Sequence, residues 1–331
     1  MARSAPIVSV FGGSGFIGRY ITQRMAREGW RVRVAVRRPN EALFVRTYGA
    51  VGQVVPLQAN VRDEASVRRA IAGASAVINC VGILVAQGRQ SFGAVQAGGA
   101  ARIARIAAEE GVGRLVQISA IGADPASESE YGRTKAEGEA AVLAAFPSAV
   151  ILRPSVVFGV EDQFFNRFAG MARYLPVLPV VCAATRFQPV YVDDVAAAAV
   201  AAATGDAAPG SYELGGPEVL SFRALMERML GVIGRRRAIV NLPWGLAGLQ
   251  AAMLDGAQRA SFGLFTNGLI TRDQVRLLRR DNVVSPGARG LDALGIAPTA
   301  LDAVLESYLF RFRRHGQFAA TQASAGGMRQ E

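Results

Sequence analysis

The stretch Val10-Phe-Gly-Gly-Ser-Gly-Phe-Ile-Gly18 decides how this chain folds. It places Gly12, Gly15 and Gly18 as G-x-x-G-x-x-G between an apolar run, residues 6–11, and an amphipathic segment, residues 16–29. The run reads as a strand and the segment as a helix, with Ile17, Tyr20, Ile21 and Met25 near one face and Gly29 at its end. Glycine permits the tight turn and lets backbone N–H groups approach a pyrophosphate. The helix N-terminus adds partial positive charge at the same place.

Outward from this turn, strands and helices alternate. Strands are predicted at 31–36, 53–59, 75–82, 114–120 and 149–159. Helices are predicted at 64–73, from the eighties to about 110, and around Lys135. Pro56 argues that 53–59 is an edge or irregular strand. The spacing implies right-handed βαβ units, hence an α/β fold with a Rossmann-type doubly wound parallel sheet. Residues 1–235 form that domain, with segments of 160–185 interleaved on the substrate side. A smaller, mostly helical C-terminal region is predicted over 236–312, and a disordered tail over 313–331.

The chain has 331 residues, 51% hydrophobic and 19% charged, with a formal net charge of +11. Such composition suits a soluble globular protein, and the charge suits a phosphate-bearing or otherwise acidic partner. Two cysteines do not make a disulfide framework. The N-terminus lacks the features of a signal peptide, and no apolar run approaches the ~20 residues that span a bilayer. No transmembrane segment and no nucleic-acid motif is expected. One histidine, His315, and two distant cysteines exclude a zinc cluster, so no metal is expected. Adjacent Asp193 and Asp194 read as caps of the Ala-rich helix that follows. The apolar stretches in 242–265 and the basic "RDQVRLLRR", 272–280, suit an anionic lipid surface or a protein partner.

Where the second strand ends, an NAD binder usually carries an acid for the ribose 2′-hydroxyl. Here Arg37 and Arg38 stand instead. Guanidinium groups match a 2′-phosphate, so the expected cofactor is NADPH.

The glycine loop, "NCVG" (79–82), Tyr131-x-x-x-Lys135, "LRPSVVFG" (152–159) and "PVYVDDVA" (189–196) together resemble the extended and atypical short-chain dehydrogenase/reductases. The resemblance implies that Tyr131 is the acid/base and that Lys135, the chain's only lysine, contacts the nicotinamide ribose and lowers the tyrosine pKa. A compact ammonium fits a ribose pocket better than a planar guanidinium. Ala120 falls where the family carries a catalytic hydroxyl, with Ser119 beside it as the substitute. Gln96 and Asn60 stand where relatives often have Asn and Asp. Cofactor contacts are implied for Gly12, Ser14, Gly15, Phe16, Ile17, Gly18, Arg37, Arg38, Asn60, Val61, Cys80, Val81, Gly82, Ser119, Tyr131, Lys135, Pro154 and Val157.

Residues 138–179, "TRFQPVYVDDVA" (185–196) and "LITRDQVRLLRRDNVV" (269–284) resemble more narrowly the nucleotide-binding accessory subunits of respiratory complex I. That implies tightly held NADPH with little turnover and contact with other complex I subunits of the peripheral arm near the membrane. The implied location is the cytoplasmic face of a bacterial inner membrane, peripherally. The alternative is a free NADPH-dependent reductase or epimerase.

Overall fold

The computed structural model describes residues 5–245, 271–314 and 316. The chain opens with β1 (Ile7–Phe11), α1 (Phe16–Arg27), β2 (Arg31–Val36), a 3-10 segment (Pro39–Tyr48) and β3 (Val54–Gln58). Next come α2 (Glu64–Ile71), β4 (Ala76–Asn79), a π-helical turn (Gly93–Ala97) and α3 (Gly98–Glu109). Then follow β5 (Arg114–Ile118), α4 (Glu130–Ala145), β6 (Val150–Pro154), β7 (Val157–Phe158) and α5 (Phe165–Tyr174). After these lie β8 (Val177–Val181), β9 (Arg186–Phe187), β10 (Val190–Tyr191), α6 (Val192–Thr204), β11 (Gly210–Leu214), β12 (Leu220–Ser221) and α7 (Phe222–Val232). The last described elements are β13 (Ala238–Leu242), α8 (Arg272–Leu277) and α9 (Leu301–Leu309).

Seven strands form one parallel sheet in the order β11-β6-β5-β4-β1-β2-β3. The order reverses between β1 and β4, the switch point at which α/β sheets bind ligands. β3 is an edge strand, which is why Pro56 is tolerated in it.

Three apolar cores hold the layers. On one sheet face α1 packs with α6, whose alanines Ala198, Ala199, Ala202 and Ala203 are buried among Ile21, Met25 and Val116. Small side chains let the two helices and the sheet approach closely. On the other face α2 and α3 cover Val77, Leu115 and Ile151.

The third core departs from the sequence reading. Residues 236–312 build no separate core among the described residues. Ile239 from β13 and Leu301, Leu305 and Leu309 from α9 pack with Phe158, Phe165, Leu178 and Phe222. β13 pairs with β8, and α9 donates Tyr308 Oη to the buried Asp162 carboxylate at 2.5 Å. The predicted strand 149–159 is divided into β6 and β7, because Ser155 turns to Asn282 (Oγ to the carbonyl oxygen, 2.8 Å). The long helix predicted before residue 110 is continuous from the π-helical turn (Gly93–Ala97) into α3, with helical backbone at the junction.

Asp193 and Asp194 do not cap α6, whose N-cap is Tyr191. Being adjacent, they point apart. Asp193 takes both nitrogens of the Arg24 fork, at 2.6 and 2.7 Å, while Asp194 accepts from Thr299 N and Oγ1 at 2.7 and 2.9 Å. The pair clamps α1 and the C-terminal segment to α6. The apolar stretch 246–270 and the tail 317–331 lie outside the described residues, as does His315.

Candidate nucleotide-binding site

The first turn is built for close approach. Gly12 adopts φ +74°, a left-handed conformation that favours glycine. Its N–H donates to Ala35 O at 2.9 Å, tying the loop to β2. A Cβ on Gly18 would meet Gly12 O at 2.2 Å, so helix and loop pack together only without a side chain there. Gly15 is the N-cap of α1 and no side chain caps that end. Its first-turn N–H groups therefore face outward for an anion.

Above this turn lies a cavity of about 550 Å³ at the C-terminal ends of β1, β2, β3 and β4. Gly12, Ser14, Gly15, Arg37, Arg38, Asn60, Val61, Cys80, Val81 and Gly82 all line it. Phe16, Ile17, Gly18, Ser119, Tyr131, Lys135, Pro154 and Val157 are not among its lining residues. Gly18 acts through packing. Phe16 lies edge-on to Tyr20 with centroids 6.4 Å apart, and Ile17 packs against the α1–α6 core.

One end of the cavity holds Arg37 and Arg38 together with the Glu41 carboxylate. Arg37 Nη1 donates to Gln90 Oε1 at 2.5 Å, and Arg38 Nη1 to Glu41 Oε1 at 3.0 Å. Arg62, which the sequence reading missed, adds a third guanidinium and donates to Arg89 O at 2.8 Å. Asn60 shapes its turn by accepting from Arg62 N at 3.1 Å, and brings no carboxylate.

At the other end stands α4. Lys135 is buried, its Nζ 3.3 Å from Ile118 O and 3.4 Å from where a Cβ on Gly82 would sit. The ammonium thus reaches the cavity edge rather than solvent. It lies 5.8 Å from the Tyr131 ring centroid, and Phe92 packs edge-on against that ring at 6.1 Å. Burial pushes the Tyr131 phenol up to about 12. The expectation that Lys135 lowers this pKa is therefore not met: the cost of desolvating a phenolate dominates. Burial also pulls Lys135 down to about 8, partly offset by Glu139 and Cys80. The Cys80 thiol is pushed up to about 12 by burial, against the pull of Lys135.

Ser119 is buried and its hydroxyl donates to the Glu139 carboxylate. Glu139 also receives Arg153 Nε at 3.0 and 3.1 Å, and Arg153 lies 3.7 Å from Glu213. The side chain expected to substitute for the missing hydroxyl at Ala120 is thus engaged in a structural network.

Two further groups set α4 in place. Gln96, in the π-helical turn, donates to Ile83 O at 2.8 Å and accepts from Thr134 Oγ1 at 3.1 Å. Its carbonyl comes so near α4 that a Cβ on Gly138 would lie 2.6 Å from it. At the helix start, Asp273 of α8 accepts from Ser129 Oγ, Glu130 N and Tyr131 N at 2.6, 2.7 and 3.1 Å. A carboxylate there satisfies free N–H groups and complements the dipole. No local signal could reveal a cap supplied from so far along the chain.

The basic run 272–280 also differs from its sequence reading. Arg279 and Arg280 pair with Glu128 and Asp124 at 3.3 and 2.8 Å, and Arg279 stacks on Trp244. These arginines fasten α8 over the start of α4.

Among the described residues no group of three or more His, Cys, Asp or Glu side chains could hold a metal, and no helix is long and apolar enough to cross a membrane.

The comparisons agree with this geometry. Residues 8–215 match the NAD dependent epimerase/dehydratase family. The chain is 35% identical over 319 residues to NADH dehydrogenase [ubiquinone] 1 alpha subcomplex subunit 9, mitochondrial, of Arabidopsis thaliana, covering 95% of this chain and 79% of that one. It is 32% identical over 317 residues to the protein of the same name from Mus musculus, covering 94% and 82%. Among solved structures it superposes on dTDP-glucose 4,6-dehydratase of Bacillus anthracis in complex with NAD, with TM-score 0.70 at 14% identity, over 92% of this chain and 96% of that one. A glycine turn at the switch point, a cavity sized for a dinucleotide and a family match over most of the sheet lead to one conclusion: the chain belongs to the NAD(P)-binding NAD dependent epimerase/dehydratase family.

Proposed function

We propose that this protein holds NADPH as a part of its structure and serves as an accessory subunit of respiratory complex I. The residues fit the cofactor. The glycine turn and the open end of α1 suit the pyrophosphate, Arg37, Arg38 and Arg62 suit the 2′-phosphate, and Lys135 suits ribose hydroxyls. When bound, the nicotinamide would supply a hydride.

One observation carries the reading of little turnover. The Ser119 hydroxyl is committed to Glu139, and Ala120 offers none. Tyr131, with a phenol pKa near 12, lacks an orienting partner for proton transfer. Retention of nucleotide without reduction chemistry is what these side chains support. The names of the relatives, subunits of a NADH dehydrogenase [ubiquinone], support other complex I subunits as the partner. We assign the contact to the peripheral arm, near the membrane. The location that goes with this reading, in a bacterial cell, is the cytoplasmic face of the inner membrane, peripherally.

Denaturing the purified protein and identifying the released nucleotide tests the first half, with NADP(H) expected in near-equal amount to protein. Release of NAD(H), or of nothing, would overturn it. Comigration with NADH:quinone reductase activity in solubilised membranes tests the second. A free reductase would instead oxidise NADPH with a ketone or quinone acceptor, read at 340 nm, and lose that activity in Tyr131→Phe.

A further inference from the structure

On the face built by α2 and α3, arginines alternate with carboxylates: Arg68 and Arg105 share Glu64 and Glu109. A second arginine group has no such partners. Arg173 lies in the last turn of α5, Arg235, Arg236 and Arg237 lead into β13, and Arg314 follows α9. Carbonyl bonds bring Arg237 to Ala172, beside Arg173, and Arg235 to Phe312, near Arg314, and Arg237, Arg173 and Arg314 act as like charges on Arg235. Among the described residues none of the five forms an ion pair with a carboxylate. Arg235 Nε donates to Phe312 O and Arg237 Nε to Ala172 O, each at 2.9 Å. Carbonyl acceptors fix these guanidinium groups without neutralising them.

Apolar side chains stand among the charges. Tyr174 is 78% exposed, and Leu175 and Val177 follow it outward at 40% and 44%. β8 and β13 run parallel with Val177 opposite Ala238 and Pro179 opposite Val240. Alternation sends Leu178 and Ile239 into the core and turns Val177 and Val240 to solvent. Water gives no return for an exposed Tyr-Leu-Pro-Val stretch beside arginines that have no carboxylate partner among the described residues. A bilayer interface does: aromatic rings settle at the headgroup level, and guanidinium groups meet lipid phosphates.

We propose that this face, formed by the end of α5 and the β8–β13 ribbon, docks on an anionic phospholipid bilayer. Arg173 and Arg235–Arg237 contact lipid phosphates, while Tyr174 and Leu175 enter the headgroup layer. The proposal stands apart from assembly into complex I, since it needs only this chain and lipid.

The full-length protein is sedimented with vesicles of phosphatidylcholine alone, and of phosphatidylcholine mixed with phosphatidylglycerol. Binding is expected only with the anionic lipid, and it weakens as salt rises. Arg173→Gln with Arg236→Gln, which breaks none of the carbonyl bonds above, reduces binding roughly tenfold. Tyr174→Ser with Leu175→Ser also reduces it. Removing the same charge elsewhere, by Arg27→Gln with Arg46→Gln, leaves binding unchanged. Equal losses from the two arginine pairs, or no dependence on phosphatidylglycerol, would overturn the proposal. So would failure to bind anionic vesicles while the same arginines retain a protein partner, an outcome that assigns the face to an acidic protein.

Discussion

The Ser119 hydroxyl donates to the Glu139 carboxylate, and the Arg153 fork closes on that carboxylate from the other side. Glu139→Ala would leave the half-buried Arg153 guanidinium without its main partner, at a cost of about 3 kcal/mol in denaturant unfolding. Ser119→Ala removes a single hydrogen bond and costs about 1 kcal/mol. The double variant should be less destabilised than the sum, because the two share one network. Nucleotide content should survive Ser119→Ala. A reductase activity abolished by that change would show that the serine serves chemistry after all.

Lys135 sets a pH dependence. In the free protein its ammonium is pulled from 10.5 to about 8 by burial. Ribose hydroxyls take their donors from the charged form. Affinity for NADPH should therefore be flat below pH 8 and fall above it, by at most about tenfold per pH unit. Lys135→Met should bind more weakly and show no such inflection, as read by fluorescence titration. Stability of the nucleotide-free protein moves the other way. Between about 8 and 10.5 the unfolded chain holds more protons at this site than the folded one, so this contribution rises with pH across that window.

The proposed preference for NADPH is tested at the guanidinium cluster. Arg37→Gln with Arg38→Gln should weaken NADPH binding about a hundredfold and leave NADH binding within a few-fold, since each lost charge-assisted bond is worth about 1.5–3 kcal/mol. Arg62→Gln should act in the same direction with smaller effect. Equal weakening of both nucleotides in a calorimetric titration would rule out recognition of the 2′-phosphate by this cluster.

Gly18 is the most demanding position of the first turn. Gly18→Ala places a Cβ 2.2 Å from Gly12 O and 2.8 Å from Gly13 Cα, both backbone atoms that cannot swing aside. Destabilisation of about 3 kcal/mol is expected, together with loss of bound nucleotide. Gly111→Ala, at a position with φ +68° and open space, serves as a control for backbone strain alone.

Asp273→Ala removes the acceptor that caps α4. A loss of about 1–2 kcal/mol is expected, with faster release of nucleotide from the helix that carries Lys135. Asp281→Ala, which breaks a surface pair with Arg186, is the matched control and should cost about 0.5 kcal/mol.

The sheet and half of the site were legible because their signals are local. Gly18 needs its neighbours only within one turn, and Pro56 marks an edge by its missing N–H. Arg37 and Arg38 follow their strand directly, so position alone put them at the cavity. The rest depends on partners distant in sequence. Glu139 reads as a surface acid until β6 brings Arg153 and the end of β5 brings Ser119 to it. Asp193 and Asp194 look like caps until Arg24 and Thr299 arrive. Arg62 and Gln90 enter the cavity because loops after β3 and β4 converge, which no periodicity records. The pKa of Tyr131 was misjudged because a nearby cation is visible in sequence and desolvation is not.

Because Asp273 is translated long after Tyr131 and Lys135, a growing chain on the ribosome presents that helix capped by Ser129 but with the Glu130 and Tyr131 amides bare. Grip on the dinucleotide is then expected to tighten only once residue 273 has been made. Nascent chains arrested before residue 273 should release labelled NADPH readily, whereas those extended past Asn282 should keep it, so retention would report that the α8 segment has been synthesised.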